Sequence, residues 1–321
     1  MEREAAREII ECLGKGRTLF YYFRGRYALM LLSYVVGEGA SVRELKGTRY
    51  GKLLGKPVMR EMLRRSGDGR ITREGLQAVW PSESECYLLT LDTWSGDGGR
   101  WACWQYDQTS RRGTNLVLQL NFSNKHDRVY ERFIHPAERD PFVRLSHPVC
   151  EAGRHTLAWS RIDLDLDGGE ALIEEIQSDW VKLALRKREA LAAIERDGER
   201  RARELRWVVR HLECSLEELS RYVERALGCH MRMWSEAMLA ATVWFLREEL
   251  GVRTIYYHTH ETGAQLKGIR YDLPPKSLYT TLPRQFLFEE TDEAPGFLRQ
   301  GKHKRLRRVL EAGPRFYVLR L

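Results

Sequence analysis

The strongest constraint on the fold is a hairpin pattern between residues 155 and 180. Two runs of strand-forming residues, HTLAWSRIDLDL and EALIEEIQSDW, flank the turn residues 167–169. The Asp-Gly and Gly-Gly pairs of this turn supply the backbone angles that short hairpin loops need. The pattern predicts two antiparallel neighbouring strands, and alternation along the first strand places Asp163 and Asp165 on a solvent-facing side.

Strand patterns also occur on both sides of the hairpin. Residues 85–123 alternate short apolar runs with Gly, Ser and Asp turns, which is typical of antiparallel strands. Residues 181–229 have apolar residues at helical spacing among dense charges, which predicts an inserted helical arm. An amphipathic helix over residues 234–250 then leads into the strand pattern VRTIYYHT, as in an α/β unit. Residues 81–321 are therefore predicted to form an α+β (α/β-like) domain with a mixed, largely antiparallel sheet.

The first 80 residues are predicted to form a separate, small helical module. The stretch 19–36 is apolar nearly all round, as a buried helix is, and residues 42–55 and 57–66 predict two shorter helices. Pro57 suits the first turn of the second of these. Three helices followed by a Gly-rich turn is the order of a winged helix-turn-helix module. The expected domain boundary therefore lies near residue 80.

The basic charge of the chain is concentrated in this module. Lys and Arg outnumber Asp and Glu by 53 to 45 over the chain, a net charge of +8. Residues 43–74 alone hold ten basic and four acidic residues. Such a cluster predicts binding of DNA or RNA phosphates, and the expected contacts are Arg60, Arg64, Arg65 and Arg70. The alternative is a helical cap whose charges are only solvated.

The chain is expected neither to span a membrane nor to be secreted. No apolar stretch approaches the roughly 20 residues that span a bilayer. The N-terminus MEREAAREII has no apolar region followed by a cleavage site. The six cysteines form no C-x-x-C pair, which argues against a zinc ribbon or a redox dithiol. We therefore expect a cytoplasmic protein with no membrane partner.

The hairpin and the elements after it resemble a domain found in large polyvalent proteins of bacteriophages and conjugative elements. The likeness covers about residues 155–265. It rests on the strand EEIQSDW, on a helix that begins with Trp234, and on the following sequence GVRTIYYHT. The resemblance implies a phage or mobile-element context, and it implies no defined activity.

A second resemblance is one of topology. The predicted order of antiparallel strands, hairpin strand, helix, strand, short helix and closing strands is similar to that of the GNAT acyltransferase superfamily. This resemblance implies acyl transfer to an unknown acceptor, with acetyl-CoA as the cofactor, whose pyrophosphate lies at a strand-to-helix junction where the helix N-terminus favours anions. The alternative function is that of a nucleic-acid-associated accessory or defence protein of a mobile element.

The candidate catalytic residues lie on the second hairpin strand and on the strand after the helix. Alternation places Glu175, Gln177 and Asp179 on one face, where carboxylates and an amide can bind substrate or supply a general base. It places Glu174 on the opposite face. His258 and His260 alternate in the same way at the end of the later strand. If the two strands are neighbours, these side chains share one cleft, and a nearby carboxylate raises the pKa of at least one histidine.

Structural alternatives apply to the same residues. Ser178 or Asp179 is also well placed to cap the arm helix at its start. The residues His258, His260 and Glu261 have the side-chain types of a metal site, but an i, i+2 pair of histidines on a strand is only loosely diagnostic. No metal is therefore expected, and the two histidines are otherwise polar loop residues.

Overall fold

The fold is described from a computed structural model of the chain. The structure describes residues 1–12, 18–65, 67, 69–94, 108–136, 139–144, 146–148, 153–269 and 273–321. None of the helices in these ranges is long and apolar enough to cross a membrane.

The N-terminal part of the chain alternates short helices with strands. Its helices are α1 (Arg3–Cys12), α2 (Arg26–Ser33), α3 (Val42–Lys46), α4 (Gly51–Leu54), α5 (Pro57–Arg65) and α6 (Arg73–Gln77), and its strands are β1 (Thr18–Tyr22), β2 (Ala40–Ser41) and β3 (Arg70–Ile71). Strands β2 and β3 form a separate antiparallel pair. Ser41 caps α3 in a capping box with Glu44, because each accepts a hydrogen bond from the backbone of the other. Pro57 opens α5, as predicted for a first helical turn.

The predicted buried helix over residues 19–36 is wrong in its first part. The segment Thr18–Tyr22 is a strand that pairs antiparallel with β4 (Glu85–Trp94) of the large sheet. Phe20 and Tyr22 are buried and their neighbours in this strand are not, which is the period-2 pattern of a sheet. Aromatic side chains also favour strands over helices. The boundary near residue 80 remains a prediction, and β1 lies in the sheet of the larger part.

The main sheet contains eight of the described strands. They are β1, β4, β5 (Asn115–Asn121), β6 (Thr156–Asp165), β7 (Glu170–Gln177), β8 (Thr254–His258), β9 (Glu289–Thr291) and β10 (Phe316–Arg320), in the spatial order β1-β4-β5-β6-β7-β8-β10-β9. Strands β7 and β8 are parallel, and the other neighbouring pairs are antiparallel. The α+β class, the hairpin β6–β7 and the adjacency of β7 and β8 are thereby confirmed.

Helices connect and cover these strands. They are α7 (Asn124–Ile134), α8 (Asp179–Asp197), α9 (Glu199–Leu205), α10 (Leu216–Arg221), α11 (Gly228–Trp244), α12 (His260–Lys267), α13 (Thr281–Gln285), α14 (Gly296–Arg299) and α15 (Lys304–Glu311). Helices α10 and α11 each continue as a π-helical turn, Tyr222–Ala226 and Phe245–Glu249, and a 3-10 helix, Lys276–Tyr279, precedes α13. The predicted helical insertion after β7 is formed by α8, α9 and α10.

The two faces of the main sheet differ in polarity. On one face, α11 packs across β5, β6 and β7 against apolar residues such as Ile162 and Ile173. The opposite face has an apolar cluster where Leu172, Tyr256 and Phe316 meet α14 and α15. The rest of that face carries buried polar side chains, and buried polar groups form hydrogen-bonded clusters. The candidate site is therefore described from the clusters on this face. We call it the polar face.

Candidate functional site

A β-bulge in β7 decides which residues lie on the polar face. Arg161 of β6 is opposite Glu175, but the next residue, Ile162, is opposite Ile173, so Glu174 has no partner position. Glu174 and Glu175 therefore both lie on the side that carries Arg161. The prediction that these two carboxylates lie on opposite faces is wrong, because a bulge shifts the two-residue period by one position.

Glu174 is the centre of a buried hydrogen-bonded cluster. Its Oε1 accepts a hydrogen bond from the Ser110 N–H at 3.0 Å, and its Oε2 accepts one from Ser110 Oγ at 2.8 Å. Oε2 also lies 3.0 Å from Nε2 of His258, and both side chains are fully buried. Burial raises the pKa of Glu174, but the hydrogen bond from His258 and the nearby cations outweigh burial and lower the pKa to about 2.

His258 is kept neutral by its burial. Burial lowers the pKa of His258 and outweighs the opposite effect of Glu174, so the predicted rise in pKa is wrong for this histidine. Ser110 Oγ lies 2.9 Å from Nε2, so serine and carboxylate share one ring nitrogen. Nδ1 of His258 has no partner within the described residues. In a catalytic triad, one ring nitrogen of the histidine contacts the serine and the other contacts the carboxylate. Here both groups contact Nε2, so this cluster has the geometry of a structural network.

Glu175 belongs to an adjoining pair of ionic contacts. Arg161 Nη2 donates to Glu175 Oε2 at 2.9 Å and to the Gln108 carbonyl oxygen at 2.6 Å. Lys267 Nζ lies 3.6 Å from the same carboxylate and donates to the Glu174 carbonyl oxygen at 3.0 Å. Burial raises the pKa of Glu175, but the charges of Lys267 and Arg161 lower it by more. Two buried carboxylates are thus balanced by two buried cations.

His260 lies apart from this cluster. Strand β8 ends at His258, Thr259 caps α12, and His260 is the first residue of that helix. Nε2 of His260 lies 3.1 Å from the Pro274 carbonyl oxygen. The predicted placement of His258 and His260 on one strand face is wrong, because the two-residue alternation stops where the helix begins. The structure therefore brings only His258 to the carboxylates.

A second cluster lies at the end of β7 and is centred on Asp179. His147 Nδ1 lies 2.8 Å from Asp179 Oδ2, and Trp159 Nε1 donates to the same oxygen at 3.2 Å. Gln177 Nε2 donates to the other oxygen, Oδ1, at 2.6 Å. Gln177 Nε2 also lies 3.1 Å from Nδ1 of His147. The Asp179 carboxylate is the closer and charged partner of Nδ1, and on that ground we assign the ring proton to Nδ1.

Nε2 of His147 is the reactive atom of this arrangement. It has no partner in the part of the chain that the structure describes, and the His147 side chain is 16% exposed. An imidazole that a carboxylate orients, with its other nitrogen open, is the arrangement of a general base. Burial raises the pKa of Asp179, but its contacts with His147, Trp159 and Gln177 together lower the pKa by more, so Asp179 stays ionised. Asp179 is therefore placed to orient the His147 ring.

Ser178 has the structural role that its position predicts. Its side-chain oxygen accepts a hydrogen bond from the Val181 N–H and so caps α8. Its hydroxyl donates to the Leu157 carbonyl oxygen at 2.6 Å. The cap prediction is confirmed for Ser178, and the Asp179 carboxylate contacts His147 instead.

Asp163 is buried and does not face solvent, contrary to the prediction from alternation. Arg111 Nε donates to Asp163 Oδ2 at 2.6 Å, and Nη2 donates to Oδ1 at 2.9 Å. Alternation sorts residues by sheet face, but only the tertiary structure shows that the segment containing Arg111 covers this face.

The predicted nucleic-acid contacts lie on α5 and β3. Arg60 and Arg64 are exposed on α5, and Arg70 is exposed on β3. Arg64 Nη1 lies 3.6 Å from a carboxylate oxygen of Glu61, an exposed pair of little energetic weight. The side chain of Arg65 lies outside the described residues.

Potential metal ligands meet at a different place from the predicted histidines. Among the described residues, Glu85, Cys229 and His230 offer ligand atoms within 4.8 Å of one another. Burial, reinforced by the charge of Glu85, raises the pKa of the Cys229 thiol to about 11. The Tyr87 hydroxyl lies 2.8 Å from His230 Nδ1. Because these groups already contact one another and the thiol is protonated, we assign no ion to them.

Comparisons of the chain with protein-family models, with curated proteins and with solved structures find no match. The function is therefore argued from the geometry of the polar face.

Proposed function

We propose that this chain is an acyltransferase in which His147 is the general base and Asp179 orients it. The observation that carries the proposal is the 2.8 Å contact between His147 Nδ1 and Asp179 Oδ2, with Nε2 open. An acceptor amine or hydroxyl must lose a proton when it attacks an acyl carbonyl. An unprotonated Nε2 can accept that proton.

The position of the base on the sheet supports this proposal. Strand β7 pairs with β8 only from Glu170 to Ile173, so the two parallel strands do not pair beyond that point. Ligands of open α/β sheets bind in crevices outside the carboxyl ends of strands. His147 and Asp179 lie at that end of β7. The order of strands and helices is also the feature on which the resemblance to the GNAT superfamily rests.

The cofactor would have to bind differently from what the resemblance implies. At the junction of β7 and α8, Ser178 Oγ accepts the hydrogen bond from the Val181 N–H. The ionised carboxylate of Asp179 lies in the first turn of the same helix, where it takes the place of an external anion. We therefore propose acetyl-CoA as the acyl donor with its pyrophosphate bound away from this junction.

Acetyl-CoA is expected to stabilise the folded protein. At about 100 times its dissociation constant a ligand stabilises by roughly 2.7 kcal/mol, which thermal unfolding in millimolar acetyl-CoA can measure. The same samples are tested for release of the CoA thiol with a panel of amine and hydroxyl acceptors. His147→Ala should keep the thermal shift and lose thiol release, since His147 is proposed to move a proton and not to bind the donor. Absence of both effects in the wild type would disprove the proposal.

Nucleic-acid binding in a phage or mobile-element context is the second candidate function. The observation in its favour is the exposure of Arg60, Arg64 and Arg70 around α5 and the β2–β3 pair. Each phosphate that a protein neutralises adds about 0.9 to the slope of log affinity against log salt. Replacing all three arginines with Ala should therefore weaken DNA or RNA binding and reduce that slope by up to about 3.

The matched control removes three arginines from the helical arm. Arg196 and Arg200 are exposed, Arg201 is half-buried, and all three form ion pairs with neighbouring acidic residues. Their triple Ala variant has the same net charge as the α5 and β3 variant and should keep the salt slope of the wild type. Equal losses of nucleic-acid affinity in the two variants would show that binding depends on net charge alone. That result would contradict a specific binding surface at α5 and β3.

A further inference from the structure

The most basic short segment of the chain lies outside the predicted nucleic-acid region. Residues 299–308, RQGKHKRLRR, contain six Lys or Arg residues and no acidic residue. This segment runs from the last residue of α14 into the first half of α15. So dense a run of like charge is costly unless something anionic lies against it.

A cleft lies between this segment and the chain around Arg111. Its volume is about 620 Å³, which is within the range of roughly 300–1,000 Å³ that small-ligand sites have. Arg111 and Arg112 line one side, and Lys302, His303 and Lys304 line the other. No acidic residue of the described ranges contributes to the lining.

The cations at the rim of the cleft are unpaired. Within the described ranges, Arg112, Lys302 and Lys304 form no ion pair, and all three are exposed. Like charges in one concave site focus a positive potential into it, and a bound anion relieves their repulsion.

Arg111 is held in place before any ligand binds. Two of its nitrogens donate to the buried carboxylate of Asp163, and Nη2 also donates to the Leu164 carbonyl oxygen at 3.0 Å. Its guanidinium lies 4.2 Å from the centre of the Phe297 ring. Nη1 has no partner among the described residues. A guanidinium fixed by a carboxylate and a ring loses little freedom when it binds phosphate.

The first turn of α15 adds backbone donors to the same cleft. The helix begins at Lys304, and His303 precedes it without a side-chain hydrogen bond to the first turn. No acidic residue lies in that turn. The unsatisfied N–H groups of a helix N-terminus favour an anion, here together with the unpaired cations.

We propose that this cleft binds the phosphate groups of a small ligand of the nucleoside polyphosphate class. The concave shape and the volume of the cleft favour a small ligand over a nucleic-acid strand, which needs an extended surface. Charge, the fixed guanidinium and the helix N-terminus all select for phosphate. The proposal does not depend on acyl transfer.

The cleft and the Asp179 cluster are linked through β6. Asp163 holds Arg111, and Trp159 of the same strand contacts Asp179. Trp159 and Asp163 are four residues apart on this strand, a span of about 13 Å.

Calorimetric titration with sodium pyrophosphate, ADP and inorganic phosphate, at constant ionic strength, tests the proposal. We expect pyrophosphate and ADP to bind, and the double variant Lys302→Gln with Lys304→Gln to weaken both by at least about 10-fold, since two charged contacts are lost. The control pair, Lys46→Gln with Lys52→Gln, removes the same charge from exposed sites in the N-terminal region and should bind as the wild type does.

Three outcomes would overturn the proposal. They are no heat of binding at millimolar pyrophosphate, equal losses of affinity in the two double variants, and binding of a single-stranded oligonucleotide that Lys302→Gln with Lys304→Gln abolishes but pyrophosphate cannot displace. His147→Ala should leave pyrophosphate affinity unchanged. The proposal that His147 is a general base and the proposal that the cleft binds phosphate are thus tested separately.

Discussion

Replacing Glu174 with Ala is expected to destabilise the protein by about 3–5 kcal/mol, because the substitution leaves buried cations without their counter-charge. Arg161 and Lys267 balance two carboxylates on the polar face, and Glu174 is fully buried among them. Urea unfolding of the wild type and the variant measures the loss. Glu261→Ala removes an exposed carboxylate from α12 and should change stability by less than about 0.5 kcal/mol. A similar small effect for Glu174→Ala would show that the cluster does not hold the strands together.

The same cluster should make the fold sensitive to acid. The pKa of Glu174 is lowered from 4.5 to about 2 in the folded protein, so its contribution to stability is complete above about pH 4.5 and is lost as the pH falls towards 2. His258, whose folded pKa is lowered from 6.5, acts in the same direction, because folding disfavours its protonated form. Urea unfolding between pH 7 and pH 3 should show this decline, and Glu174→Ala should flatten it.

Asp179→Asn is expected to reduce the rate of acyl transfer by about 10² to 10⁴-fold. An Asn amide at this position can donate to Nδ1 of His147, which moves the ring proton to Nε2 and removes the base. The measurement is kcat/KM for thiol release from acetyl-CoA with the best acceptor of the panel. Urea unfolding of the variant shows whether a loss of rate reflects a loss of folded protein.

A second histidine–aspartate pair provides the matched control for Asp179→Asn. His155 Nδ1 lies 3.2 Å from Asp140 Oδ2, but this pair lies beside Tyr130 and Trp180 and not at the end of β7. Asp140→Asn should therefore leave the rate within a few-fold of the wild type. If both variants lose the same activity, the assignment of His147 as the base fails.

Local sequence patterns were sufficient for several elements of the fold. The turn at residues 167–169 predicted the hairpin β6–β7, because short hairpin loops require residues that tolerate its backbone angles. The helix-to-strand unit after the arm predicted that β7 and β8 are neighbours, because sequential strands usually pair across such a connection. Ser178 and Pro57 predicted helix starts, since capping and first-turn positions depend on only a few adjacent residues.

Predictions from alternation were wrong where the backbone departs from the two-residue period of a strand. The bulge at Glu174 turned two successive carboxylates to one face, and the start of α12 at His260 ended the strand on which alternation depended. The bulge has no local sequence signal here, because it depends on how β6 packs on β7. The start of α12 does have one, because Thr259 is a capping residue. The first strand was mistaken for helix because its short apolar run adjoins the apolar residues of α2.

The sequence by itself determined the hairpin β6–β7, the helix-to-strand unit that ends in β8, and the chemical types of residue on β7, because turn chemistry, periodicity and caps are properties of neighbouring residues. Only the tertiary structure decided what those residues contact. His147 is 32 positions from Asp179, and Arg111 is 52 positions from Asp163, yet each pair is in hydrogen-bond contact. A side chain acquires its protonation state and its role from such long-range partners, and no local pattern encodes which partners folding brings together.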